Sequence, residues 1–436
     1  MPLRSWHAVL LGLVFTPLLV AADKNKQELP EPLTLDYALS LSQEAHPSLL
    51  AYQYQIDAQL ANRQRAEAAD DYSASLVGRV RWIDVPLYTP SPGINEDHSV
   101  GLSIKKPLLD SGQSVNKSRA AQLMERSARA KYQAALNKRQ QLIARRYFDT
   151  VLADLKSLYA NERLASGFIR WDRARTRQKL GQAEELEVLR LDREYQAIRR
   201  ERTIVENLQR TTRGRLAEAM NRPDTLPATL IVPQLPQLKR KRPPLELIQS
   251  LARQHNPELR ALRHEVAAKE AELVAARARD GLSVDAELLF NSYTFQPSGR
   301  DNLRAGINFS YPLSRGGRSN ADIALAMSNK HQAQSRLEGT RNRINQALLE
   351  AWMRLDAQKI ERQEMRALLD YSEFYLDRTR IKYEQGLQTT LGDSMQGIAN
   401  SEWRMTQTDF SMAMTWLELE GLVGLPYEQF PQQQNK

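Results

Sequence analysis

The chain has 436 residues, a formal charge of +9, 26% charged residues and no cysteine. Without a thiol there is no disulfide framework, thiolate metal site, cysteine nucleophile or lipid-acceptor cysteine. The basic excess is not a nucleic-acid footprint, because cations alternate with anions along helical stretches such as Arg190-Leu191-Asp192-Arg193-Glu194 and an export leader precedes them.

Residues 1–22 carry Arg4, an apolar core from Val9 to Val20 and a Val20-Ala21-Ala22 cleavage site, the pattern of a secretory signal peptide. Beyond them no apolar run reaches the ~20 residues of a transmembrane helix, so entry into a membrane falls to strands. A polar lead, 23–33, precedes a helix capped by Thr34. The helix breaks at His46-Pro47, where proline removes a backbone donor, and resumes to about Asp70. From Ser73 the period is two: Leu76, Val80 and Trp82 share one face, with Arg79 and Arg81 on the other. After the Pro- and Gly-rich Pro86–Asp97, Val100, Leu102 and Ile104 alternate with Ser99, Ser103 and Lys105. This predicts a hairpin whose strands have the roughly ten residues needed to cross a bilayer at a tilt.

Asp110-Ser111-Gly112 opens a proline-free helix to about Gly181. Its apolar residues Ala144, Phe148, Val151, Leu155 and Leu158 recur at coiled-coil spacing, and ~70 residues make a rod of ~105 Å. At Gly181 the chain reverses, and Glu184, Glu185 and Glu187 start a helix that runs to about Asn221. Six prolines make the connector 222–244 too broken for a regular element; its basic run Lys239–Arg242 is expected to be solvated.

The pattern then restarts. Leu251, Pro257, Leu259 and Ala261 repeat Leu41, Pro47, Leu49 and Ala51; a second hairpin is predicted around Leu282–Phe290 and Leu303–Tyr311. Gly317 repeats Gly112, a long helix runs from Arg318 to about Gln385 with a stripe of Ile344, Leu348, Ala351 and Leu355, and Gly386 repeats Gly181. The last helix ends near Val423. The division is a signal peptide 1–22, a first structural repeat 23–221, the connector, a second repeat 245–425 and a disordered tail 426–436. In each half two shorter helices laid end to end span one long helix, giving paired rods with strands at one end and a tight turn at the other.

Four strands per chain leave open edges, which lipid does not tolerate, and cannot close a barrel alone. Two chains supply eight strands and three supply twelve. Three is the expected number, since eight strands are filled by their own side chains and twelve leave a lumen. The fold class is mainly α with a membrane β-barrel: a coiled-coil-like helical barrel continuing a twelve-stranded trimeric one. The rival is a periplasmic coiled-coil adaptor or structural protein. No His-Glu-x-x-His, Gly-x-Ser-x-Gly or phosphate loop supports an enzyme, a metal or a cofactor.

Asn256-Pro257-Glu258-Leu259, Pro312-Leu313 followed by Gly317, Lys382-Tyr383-Glu384-Gln385-Gly386 and the twofold repeat resemble the TolC-like outer-membrane efflux protein family over residues 34 to 425. The resemblance implies a homotrimer in outer-membrane lipid and a helical tunnel across the periplasm. It also implies a periplasmic adaptor (membrane fusion) protein that links the tunnel to an inner-membrane transporter, so that exit is passive. It places Gly181, Gly386 and Leu387 at the periplasmic tip where an adaptor docks. The family's aspartate six residues beyond the second tip glycine falls on Gly392, with Asp393 beside it, and Glu187 stands there in the first half; Glu187 and Asp393 are the candidate entrance constriction. Trp82, Tyr88, Phe290, Tyr293 and Tyr311 are expected as membrane-interface aromatics.

Overall fold

The computed structural model describes residues 29–85, 93–223, 229–294, 300–387 and 391–431. The proposed signal peptide, Tyr88, parts of both hairpin loops and the last five residues lie outside the described residues.

The long helices are α3 (Gln113–Lys179) and α7 (Arg318–Glu384), 67 residues each, or about 100 Å. Both open on a left-handed glycine, Gly112 and Gly317. At the first, Asp110 Oδ2 accepts a hydrogen bond from the backbone N–H of Ser114, which satisfies one of the orphan amides of the helix start. Beside α3 run α2 (Pro47–Glu67) and α4 (Glu185–Ala219); beside α7 run α6 (Pro257–Ala278) and α8 (Gly392–Val423). α3 also packs against α6 and α8, so the chain is a row of rods: α2 with α4, then α3, then α6 with α8, then α7.

The end-to-end stacking is built from polar clamps. Asn221 Nδ2 donates to the carbonyl of Ala45 (2.8 Å), and Arg222 forks onto Glu44 at 2.8 and 3.1 Å. In the second half Asn256 Nδ2 donates to the carbonyl of Leu422 (2.7 Å) while its Oδ1 caps α6 through the N–H of Leu259. Pro47 and Pro257 sit at the first turns of α2 and α6, where the missing N–H costs nothing.

The apolar core lies at the waist of the rods. Ile143, Ala144, Tyr147, Phe148 and Val151 of α3 are buried, as are Ile344, Leu348, Ala351 and Leu355 of α7. Leu158, expected on the α3 stripe, is 59% exposed, because the seam drifts around a straight helix over that length. Around the waist wrap α1 (Leu35–Ser40), α5 (Leu245–His255), the connector and the tail.

The connector is more regular than its prolines suggest. Leu230 forms a parallel bridge with Leu33, and Pro236–Lys239 is a 3₁₀ turn. Tyr147 Oη reaches the carbonyls of Leu33 (2.8 Å) and Ile231 (2.7 Å), and burial pushes its hydroxyl up to about 12. Trp352, its counterpart in the repeat, donates its indole N–H to Pro243 (2.9 Å). The basic run is not simply solvated. Arg240 pairs with Glu420 (2.8 Å) and lies over Tyr427, while Arg242 lies over Trp352 at 3.7 Å and pairs with Asp356. The tail is likewise ordered through residue 431: Tyr427–Gln429 is a 3₁₀ turn and Phe430 is buried in the second core.

Two glycines separate two kinds of constraint. Gly424 has φ +85°, and a Cβ there would lie 2.5 Å from the carbonyl oxygen of His255; Gly386 has φ +71° and open space around it. Gly386→Ala should cost only the left-handed strain of about 1–2 kcal/mol. Gly424→Ala should lower the thermal midpoint clearly further, because the waist junction must also move.

Candidate functional site

Two surfaces are candidates: the sheet at one end of the rods and the two turns at the other. The sheet holds β1 (Ser73–Arg79), β4 (Ser99–Leu109), β5 (Ser283–Tyr293) and β6 (Leu303–Ser310), antiparallel in that order. The hairpin end of β1 and β4 is extended by β2 (Trp82–Val85) and β3 (Gly93–Glu96). β4 and β5 have 11 residues each, enough to span a hydrocarbon core at a tilt. Their pairing joins the two halves of the chain. β1 and β6 are the edges, and every described residue in both is exposed.

The register sorts the faces. Leu76, Leu102, Phe290 and Leu303 form one rank across all four strands, and Ala74, Ile104, Leu288 and Ala305 form the next. The opposite face ranks Ser75, Ser103, Leu289 and Arg304, then Ser73, Lys105, Glu287 and Gly306. On it Lys105 Nζ meets Glu287 at 3.0 Å. One face is therefore apolar yet exposed, as Leu76 (77%) and Phe309 (70%) show. The other is polar, with Lys105 and Glu287 paired on it. Such alternation, with both edges open, is the arrangement of a barrel wall rather than of a sheet packed on a core.

Of the expected aromatics, Trp82 and Tyr311 are exposed at the hairpin end and the helical end respectively, and Phe290 lies in the apolar band. Tyr293 departs from the expectation. The period of two puts it on the polar face, opposite Ser99, with the Arg300 guanidinium 4.3 Å from its ring. Close by is a feature that the residue pattern did not reveal: Asp97, 1% exposed in its side chain, accepts from Arg300 at 2.6 and 3.1 Å and from Arg81. The clamp ties the two hairpins together. A lone aspartate in a polar loop carries no periodic signal by which to find it.

The turns are nearly identical. The N–H of Gln182 bonds the carbonyl of Arg177 and that of Gly181 bonds Gln178; Leu387 bonds Lys382 and Gly386 bonds Tyr383. Gly181 and Gly386 both have φ +71°, the left-handed cap that stops a helix and turns the chain. Leu387 is 75% exposed, and Leu180 and Leu186 also lie bare at this end. Glu187 and Asp393 are not adjacent partners. Glu187 pairs with Arg177 at 2.9 Å, stapling α4 to the end of α3, and Asp393 accepts from Ser166 Oγ at 3.1 Å, tying α8 to α3. The structure thus gives each acid a neighbour within the chain; it does not bring the two acids together.

Among the described residues no helix is long and apolar enough to cross a membrane, and no group of acidic or histidine side chains is arranged to hold a metal.

Residues 248–392 match the family model described as outer membrane efflux protein. No curated protein matches the chain in sequence. Among solved structures, a membrane protein from Pseudomonas aeruginosa superposes with a TM-score of 0.75 at 18% identity, covering 92% of each chain. The Campylobacter jejuni CmeC outer membrane channel gives 0.75 at 14% identity, covering 92% of this chain and 87% of that one. The Vibrio cholerae outer membrane protein VceC gives 0.69 at 18% identity over 90% and 96%. The chain has the fold of these proteins over about nine-tenths of its length.

Proposed function

We propose, from the outer membrane efflux protein domain at residues 248–392 and the fold built around it, that this chain is one third of an outer-membrane export duct. The observation that carries the proposal is the sheet: two open edges, one exposed apolar face, one polar face. Open edges in hydrocarbon would leave several kcal/mol of unmet hydrogen bonding per backbone group. Pairing β6 of one copy with β1 of the next removes them, and three copies make twelve strands around a lumen. The apolar face then meets lipid and the polar face lines the lumen. The helices continue the wall into the periplasm, and their margins supply apolar side chains for the neighbouring copy, such as Phe374 (77% exposed) on α7 and Leu186 (74%) on α4.

The chain's own residues do no chemistry in this role. The duct gives passive exit, and energy enters from an inner-membrane transporter through a periplasmic adaptor. The tip turns at Gly181 and Gly386, with Leu387 bare beside them, are the proposed adaptor contact. Glu187 and Asp393 are the proposed acidic groups of the entrance, held in place by Arg177 and Ser166.

Light scattering corrected for detergent is the direct test: the protein extracted from the outer-membrane fraction should have the mass of three chains. A soluble monomer or dimer that needs no detergent would instead support a periplasmic adaptor or structural protein. The faces can be tested against each other. Leu102→Arg, on the apolar face, should cost about 2–4 kcal/mol of membrane assembly, while Ser103→Arg, one residue on and facing the lumen, should assemble. At the entrance, Asp393→Ala should change the cation selectivity of the open channel; unchanged selectivity would remove Asp393 from the constriction.

A further inference from the structure

The polar face of the sheet changes sign along its length. Nearest the helices, Asp285 lies in register with Asn308. Next comes the neutral pair of Lys105 and Glu287. Towards the hairpin end the cations take over. Arg304 stands in rank with Ser75 and Ser103, and Arg79 stands opposite Ser99. Beyond them, the single carboxylate of Asp97 serves two guanidiniums, Arg81 and Arg300.

The balancing acids lie elsewhere. Glu96 is opposite Trp82, and alternation puts it and Asp84 in the register of the apolar face. Asp301 meets Arg304 at 3.2 Å, but both side chains are more than half exposed, so the pair neutralises weakly. Arg79 has no carboxylate within ion-pairing distance among the described residues. Residues 86–92 and 295–299, outside the described residues, bring no charged side chain that could alter this balance.

We infer that the hairpin-end half of the lumen is an anion-binding vestibule, with the three copies of Arg79 as its principal ring. The inference rests on the duct proposed above, because only closure of three sheets sets the three Arg79 side chains around one axis. A ring of fixed like charges in a narrow, low-dielectric wall concentrates counter-ions far more than one exposed arginine does. The ligand class is a small polyanion or an anionic solute leaving the duct. The Lys105–Glu287 level below is neutral and Asp285 is acidic, so an anion is held towards the exit rather than along the whole barrel.

The test is calorimetric titration of the detergent-solubilised protein with inositol hexakisphosphate at low and moderate salt, with the oligomer mass measured on the same sample. One polyanion should bind per three chains, more weakly as salt rises. Arg79→Ser and Arg79→Gln should weaken it on the order of tenfold, and Arg79→Lys should retain it. A trimer that binds no polyanion, or one whose binding ignores the loss of Arg79, overturns the vestibule and leaves the duct standing. A monomer in detergent overturns the duct and the vestibule with it.

Discussion

The backbone hydrogen bonds along β1 and β6 are the constraint on which the rest of the molecule depends. A strand edge in water is tolerable, but in hydrocarbon, where the proposed duct would seat the apolar face of this sheet, each unpaired group is costly. Burial within the chain does not relieve it, because both edge strands are exposed throughout. In the proposed duct another copy supplies the missing partners, and once three sheets close, the helices that continue from them are set around the same axis as a tube.

The waist of the rods answers a second problem. A helix of 67 residues is stabilised along its length only if partners cover it, and no single antiparallel helix here is as long. Two shorter helices share the work, which leaves two junctions of unpaired helix ends. Asn221 and Asn256 satisfy carbonyls across those junctions, and the core of each half forms around them. Tyr147 and Trp352, equivalent in the repeat, use their one polar atom to hold connector backbone, at Ile231 and Pro243, against that core. The connector and tail, prolines included, serve as a belt at the level where the rods are interrupted.

Charge is organised by the same geometry. Along the helices ions alternate and pair on the surface, where each pair is worth little. In the sheet Lys105 and Glu287 pair on the polar face, and towards the hairpin end alternation separates the signs: Arg79, Arg304 and the Asp97 clamp on one side, Glu96 on the other. The net charge of the chain says nothing of this, since the separation comes from register.

The duplicated order of elements, the change of period from 3.6 to two at Ser73, the glycine turns and the span of both long helices were all legible in the chain, because each is a local property of neighbouring residues. Counting by two also gave the faces of β4, β5 and β6, but Tyr293, expected with Phe290 among the interface aromatics, lies on the opposite face of the same strand. Tertiary structure alone decided which elements meet: β4 against β5, α3 against both halves, Asp97 under Arg300, Arg242 over Trp352, Glu187 with Arg177 rather than with Asp393. Those choices join residues tens to hundreds of positions apart, and periodicity carries no information about which distant partner satisfies a charge, a ring or a strand edge.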